Sequence, residues 1–144
     1  KTVIFELSEE VARRARQNKV VGKTISLAIV YSREEFKKGF QRQKTISEYT
    51  NFTFDIYHNC LKLLKKHYSG KRVRKISVNL SNLLSDKSIQ LNLFDDKNKK
   101  MRLAELKDNL GKKFNHKALF YGRSLKESSI RDRINKTIGG HNAW

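Results

Sequence analysis

The chain has 144 residues, 38% of them hydrophobic, and 32 Lys and Arg against 14 Asp and Glu leave a formal net charge of +18. A chain of this length can bury roughly two-thirds of its unfolded surface, and its apolar fraction is too high for a disordered polyelectrolyte. The single cysteine, Cys60, excludes an internal disulfide framework and a thiolate-rich zinc site, and no apolar run is long enough to span a bilayer.

The first periodic segment places Ile4, Leu7, Val11 and Ala15 at helical spacing, with Glu9 and Glu10 ahead of Arg13, Arg14, Arg16 and Lys19, and Gly22 just beyond. From Thr24 the period changes to two. Ile25, Leu27, Ile29 and Tyr31 alternate with Thr24, Ser26, Ala28 and Val30, the pattern of a strand with one face on a core. A second strand is expected over Arg42 to Ser47. A helix follows, capped by Asn51, striped by Tyr57, Leu61, Leu64 and Tyr68 and stopped by Gly70. In a third strand Arg74, Ile76, Val78 and Leu80 share one parity.

Helix, strand, strand, helix, strand predicts an α+β fold in which two helices cover one face of an antiparallel sheet. The opposite face is then free. Past Leu84 the composition shifts. Residues 85–98 read as a linker containing the short apolar run Ile89 to Phe94, and residues 99–144 as a basic, partly helical extension. Leu103, Leu106, Leu110 and Phe114 mark one helix there, Ala118 to Tyr121 a strand, and Ile130, Ile134 and Ile138 a last helical stripe.

Residues 1–96 hold 19 basic and 10 acidic side chains, and residues 97–144 hold 13 and 4. Both parts carry a net +9. Solubility needs a net charge of only about 2 to 8 in a small domain, so the excess points to nucleic acid. The cations and hydrogen-bonding residues of the later strands, Arg42 to Thr45 and Arg74 to Asn79, suit a sheet face lying along a phosphate backbone. An independent basic RNA-binding α+β module is the alternative.

Several segments together resemble the C-terminal region of the bacterial Y-family translesion DNA polymerases, in the UmuC-like and UvrX-like branch. They are Leu7 to Arg14, Gly22 to Leu27, Arg42 to Ile46, Val73 to Leu83, Gln90 to Phe94 and Ile138 to His141, and they run in family order across nearly the whole chain. The resemblance implies that residues 1–84 form a little finger, a sheet-bearing domain that holds the primer-template backbone. Its strand before the first helix is not visible ahead of Lys1, so three to four strands are expected. By position, Arg42, Lys44, Arg74 and Lys75 are implied as phosphate contacts, with Lys23, Ser26 and Asn79 as further DNA-binding candidates. Gln90, Leu91, Leu93 and Phe94 match the peptide by which such polymerases bind the bacterial sliding clamp. Taken by itself, that run also fits a core strand.

The resemblance further implies a parent DNA-directed DNA polymerase of the SOS and DNA-repair type, acting in the bacterial cytoplasm at the nucleoid and using Mg²⁺ held by palm carboxylates. Lys1 in place of an initiator methionine fits a piece of such a protein. The present residues are expected to be non-catalytic and cofactor-free. Glu9 with Glu10, Glu34 with Glu35, and Asp95 with Asp96 read as helix or turn features. The four histidines are scattered, and Cys60 reads as a small buried hydrophobe.

Overall fold

A computed structural model describes residues 1–34, 38–88, 96–114, 119, 121–125, 129–130, 137–138 and 141–142. Three helices, α1 (Thr2–Gln17), α2 (Thr53–His67) and α3 (Asp96–Phe114), accompany three long strands, β1 (Val20–Tyr31), β2 (Gly39–Thr50) and β3 (Val73–Ser85). The sheet is antiparallel in the order β2-β1-β3. The α+β fold and its element order agree with the sequence patterns, and the sheet has three strands among the described residues.

β1 is central, and its alternation decides which face is covered. Ile25, Leu27 and Ile29 pack under Ile4, Phe5, Ala12 and Ala15 of α1 and Ile56, Tyr57, Cys60 and Leu63 of α2. Register carries the core outward, because residues paired across antiparallel strands share a face. Leu80, Val78 and Ile76 lie opposite Ile25, Leu27 and Ile29 on one side. Phe40 lies opposite Ile29 on the other.

Several local expectations are corrected. α1 begins at Thr2, so Glu9 and Glu10 sit in mid-helix and its first turn has no acid. Their partners are side chains: Glu10 accepts from Arg13 at 2.7 Å and from Arg14 at 2.6 Å. Burial alone raises the Glu10 carboxyl, but Arg13 and Arg14 overcome it and hold the group below its ordinary value. The chain leaves α1 through Lys19 at φ 52°, while Gly22 lies within β1.

Gly22 answers a packing demand. A Cβ there would stand 2.4 Å from Leu80 Cγ, and Leu80 is itself buried. Gly22→Ala is expected to cost about 1–3 kcal/mol by overpacking, read as a lower urea midpoint at unchanged m-value. A midpoint within error of wild type would refute this account.

Asn51 is not the cap of α2. The N-cap is Phe52, whose N–H donates to Thr50 Oγ1 at 3.0 Å, and Thr50 in turn donates to Asp55 Oδ2 at 2.7 Å. Asn51 instead donates to the Val20 carbonyl at 3.2 Å, tying the start of α2 to β1. α2 ends at His67, three residues before the left-handed Gly70.

Residues 86–88 form a 3-10 turn, and α3 starts at Asp96 in place of a polar link continuing to residue 98. Among residues 118–121, only Leu119 and Tyr121 are described, neither in a strand. Ile138 is not helical: β4 (Thr137–Ile138) pairs antiparallel with β5 (His141–Asn142). In the sequence, Ile138 is followed by Gly-Gly, a dipeptide signal for hairpins that competes with the 4-4 spacing of the isoleucines.

The extension is fastened to α1 through polar groups. Arg16, nearly buried, meets Asp108 of α3 at 2.7 Å and donates to the Asn51 carbonyl at 2.8 Å. Lys107 pairs with Glu9 and lies 3.9 Å from the centre of the Tyr121 ring. Glu6 accepts from Ser129 Oγ at 2.5 Å and from the Ile130 N–H at 2.8 Å. Tyr121 joins the core by an edge-on contact with Phe5 at 5.2 Å.

Candidate nucleic-acid interface

The sheet face turned away from the helices is built in rows, each contributed by all three strands. Thr45, Thr24 and Ser81 form one row, Gln43, Ser26 and Asn79 the next, then Gln41, Ala28 and Ser77, and finally Gly39, Val30 and Lys75. The middle strand supplies short side chains and the outer strands supply longer amides and hydroxyls. Ser26, only 8% exposed, thus forms the floor of a shallow trough. Its walls are the exposed Gln41, Gln43, Ser77 and Asn79.

The hydrogen bonds here leave capacity for a ligand. Thr24 Oγ1 and Thr45 Oγ1 are 3.1 Å apart, and Ser81 Oγ donates to the Thr24 carbonyl at 3.4 Å. Amides and hydroxyls of this kind act as donors to phosphate and sugar oxygens without reading base sequence.

The register divides the predicted contacts. Ser26, Lys75 and Asn79 lie on the open face. Arg42 pairs with Leu27, and Lys44 with Ile25, so both carry the parity of the helix-covered side. As residues of the edge strand β2 they remain exposed. Lys44 faces Asp55, Asn59 and Lys62 across a groove of about 350 Å³ between β2 and α2. The Arg42 guanidinium folds back to the Gln41 carbonyl at 2.8 Å.

Arg74 occupies a register shift in which Val30 pairs with Lys75 and Tyr31 with Val73, leaving Arg74 without an opposite number on β1. Lys23 is drawn over the Tyr49 ring at 5.3 Å. Of these cations Lys75 alone shares the parity of the trough, which is itself mostly neutral; Arg42, Lys44 and Arg74 are exposed on the outer strands beside it. Gln41, Thr24 and Ser81 belong to its rows although charge gave no signal for them; the small, polar alternate positions of β1 and β3 were the available clue.

Gln90, Leu91, Leu93 and Phe94 lie outside the described residues. Among the described residues no group of three or more His, Cys, Asp or Glu is arranged to hold a metal, and no helix is long and apolar enough to cross a membrane. Burial pushes the Cys60 thiol up to about 12, against the opposing influence of a Ser8 hydrogen bond. Such a thiol is protonated at neutral pH and is a poor nucleophile.

Residues 1–93 match the model of the impB/mucB/samB family C-terminal domain. The chain is similar to UvrX of Bacillus subtilis, a protein named for UV-damage repair, at 44% identity over 98% of this chain and 34% of that protein. It is also similar to DNA polymerase IV 2 of Bacillus subtilis, at 40% identity over 98% and 34%, and to DNA polymerase IV 2 of Halalkalibacterium halodurans, at 34% identity over 96% and 34%. The chain thus spans about a third of the length of these curated relatives.

Proposed function

The chain belongs to the impB/mucB/samB family C-terminal domain, the C-terminal region of Y-family DNA repair polymerases, and from that premise we propose that it is the DNA-gripping and clamp-tethering module of a translesion polymerase. The observation that carries the proposal is the open sheet face, with its rows of neutral donors and acceptors ending at Lys75 and with the exposed Arg42, Lys44 and Arg74 on the two outer strands that flank it.

Lysines and arginines on the outer strands displace counterions from the duplex backbone, which supplies affinity and makes it steeply salt-dependent. The trough donates to phosphate and sugar oxygens, so grip is nearly independent of sequence, as a polymerase that copies any template requires. Gln90, Leu91, Leu93 and Phe94 bind the bacterial sliding clamp as an extended peptide. That tether raises the local concentration at the primer terminus. Nucleotidyl transfer and its Mg²⁺ chemistry belong to the parent protein, which works in the bacterial cytoplasm at the nucleoid during the SOS response to damage; this module needs no cofactor.

The test is the salt dependence of primer-template binding by fluorescence anisotropy. Replacing both Arg74 and Lys75 by alanine is expected to weaken binding uniformly across sequences and to reduce the magnitude of the slope of log K against log salt by about 2. An unchanged slope removes that pair from the interface, and a preference for duplex RNA over DNA would favour the RNA-module alternative.

A further inference from the structure

α3 is only half satisfied by its own fold. Ala104 and Gly111 are buried, and Lys107 and Asp108 are engaged by α1. The other face carries Leu103, Leu106, Leu110 and Phe114, which are 68%, 59%, 43% and 59% exposed. Their 3-4-4 spacing aligns them as one stripe, about 16 Å long at 1.5 Å per residue. Single exposed leucines are ordinary, but four large apolar side chains in one line mark an interaction surface.

The charge around the stripe selects the partner. Lys99, Lys100, Arg102 and Lys113 border it on the exposed surface, and among the described side chains of this helix Glu105 is the exposed acid. A second copy of the chain would set these cations against one another, with +18 on each molecule. We propose that this face of α3 docks an acidic amphipathic helix of a partner protein. Leucine-like anchors at i, i+3, i+4 and i+7 would meet the stripe, and flanking Asp or Glu would meet the basic border. The site stands apart from the sheet proposed to face DNA, and the whole of α3 lies beyond the family-matched residues 1–93.

The experiment pans the 144-residue chain against a displayed library of 20-residue helical peptides and measures the enriched peptides by anisotropy. Enrichment of acidic peptides with helically spaced apolar anchors is expected. The double variant L106E/L110E should weaken their binding at least tenfold, leaving primer-template affinity and the circular-dichroism melt unchanged, because both leucines are exposed. R102E/K113E, which leaves the apolar stripe intact, should weaken it at least threefold.

The proposal is overturned by an absence of enrichment, by enriched peptides that are basic or uncharged, or by peptides that bind L106E/L110E as well as wild type. It is equally overturned if phosphatidylglycerol vesicles bind the stripe more tightly than the peptides do, or if the chain forms a dimer that L106E/L110E dissolves. None of these outcomes depends on the sheet, so failure here is distinguishable from failure of the DNA-gripping proposal.

Discussion

Replacing Leu93 and Phe94 together by alanine is expected to abolish binding to the bacterial sliding clamp while leaving primer-template affinity within about twofold of wild type. Apolar anchors of a short extended peptide are hot spots worth about 2 kcal/mol each. Losing two of them weakens binding by roughly a thousandfold, which takes a micromolar tether out of the measurable range. On the proposed function, duplex affinity comes from the cations of the outer strands and has no reason to change. Surface plasmon resonance on immobilised clamp and anisotropy on duplex DNA separate the two readouts. An equal fall in both would mean that the pair belongs to the folded core and that Gln90 to Phe94 is not a tether.

The largest expected loss of stability comes from Phe5→Ala. Phe5 is 1% exposed and stands edge-on to Tyr57 and Tyr121, each at 5.2 Å between ring centres, with Phe54 tilted against it at 5.6 Å. Truncating a fully buried phenylalanine costs about 3–5 kcal/mol, from lost transfer free energy and the cavity left behind. The ring quadrupole contacts are lost as well. Urea denaturation should show the midpoint falling by that equivalent. Tyr121→Ala, at a half-buried position on the extension side of the same cluster, should cost less than half as much. A loss below about 1 kcal/mol for Phe5→Ala would mean that the aromatic cluster does not hold α1 to α2 and the extension.

The central strand was the most legible element, because Ile25, Leu27, Ile29 and Tyr31 are buried on one side and small on the other, and that alternation fixes both period and face. Helix ends were less legible. Asn51 looks like a cap by residue type, but the Val20 carbonyl offers its amide a partner from a strand 31 positions away. No local pattern encodes that competition.

The candidate site was legible by charge but not by geometry. Arg42 and Lys44 declare themselves as cations, yet which side they take depends on the β1–β2 register, a long-range quantity. The attachment of the extension was hidden for the same reason. Arg16 with Asp108, and Glu6 with Ser129, join residues about 90 and 120 positions apart, and each looks like an ordinary surface residue in isolation.

β2 and β3 are the outer strands of the sheet, and among the described residues neither has a further strand beside it. Outer strands of twelve and thirteen residues would ordinarily recruit a neighbouring chain by edge pairing. Arg42 and Lys44 on one border, and Arg74 and Lys75 on the other, set like charges against any second copy that approaches in that way. The same cations that favour a polyanion thus act as gatekeepers against self-association in the free protein, so neutralising them by mutation trades solubility as well as grip.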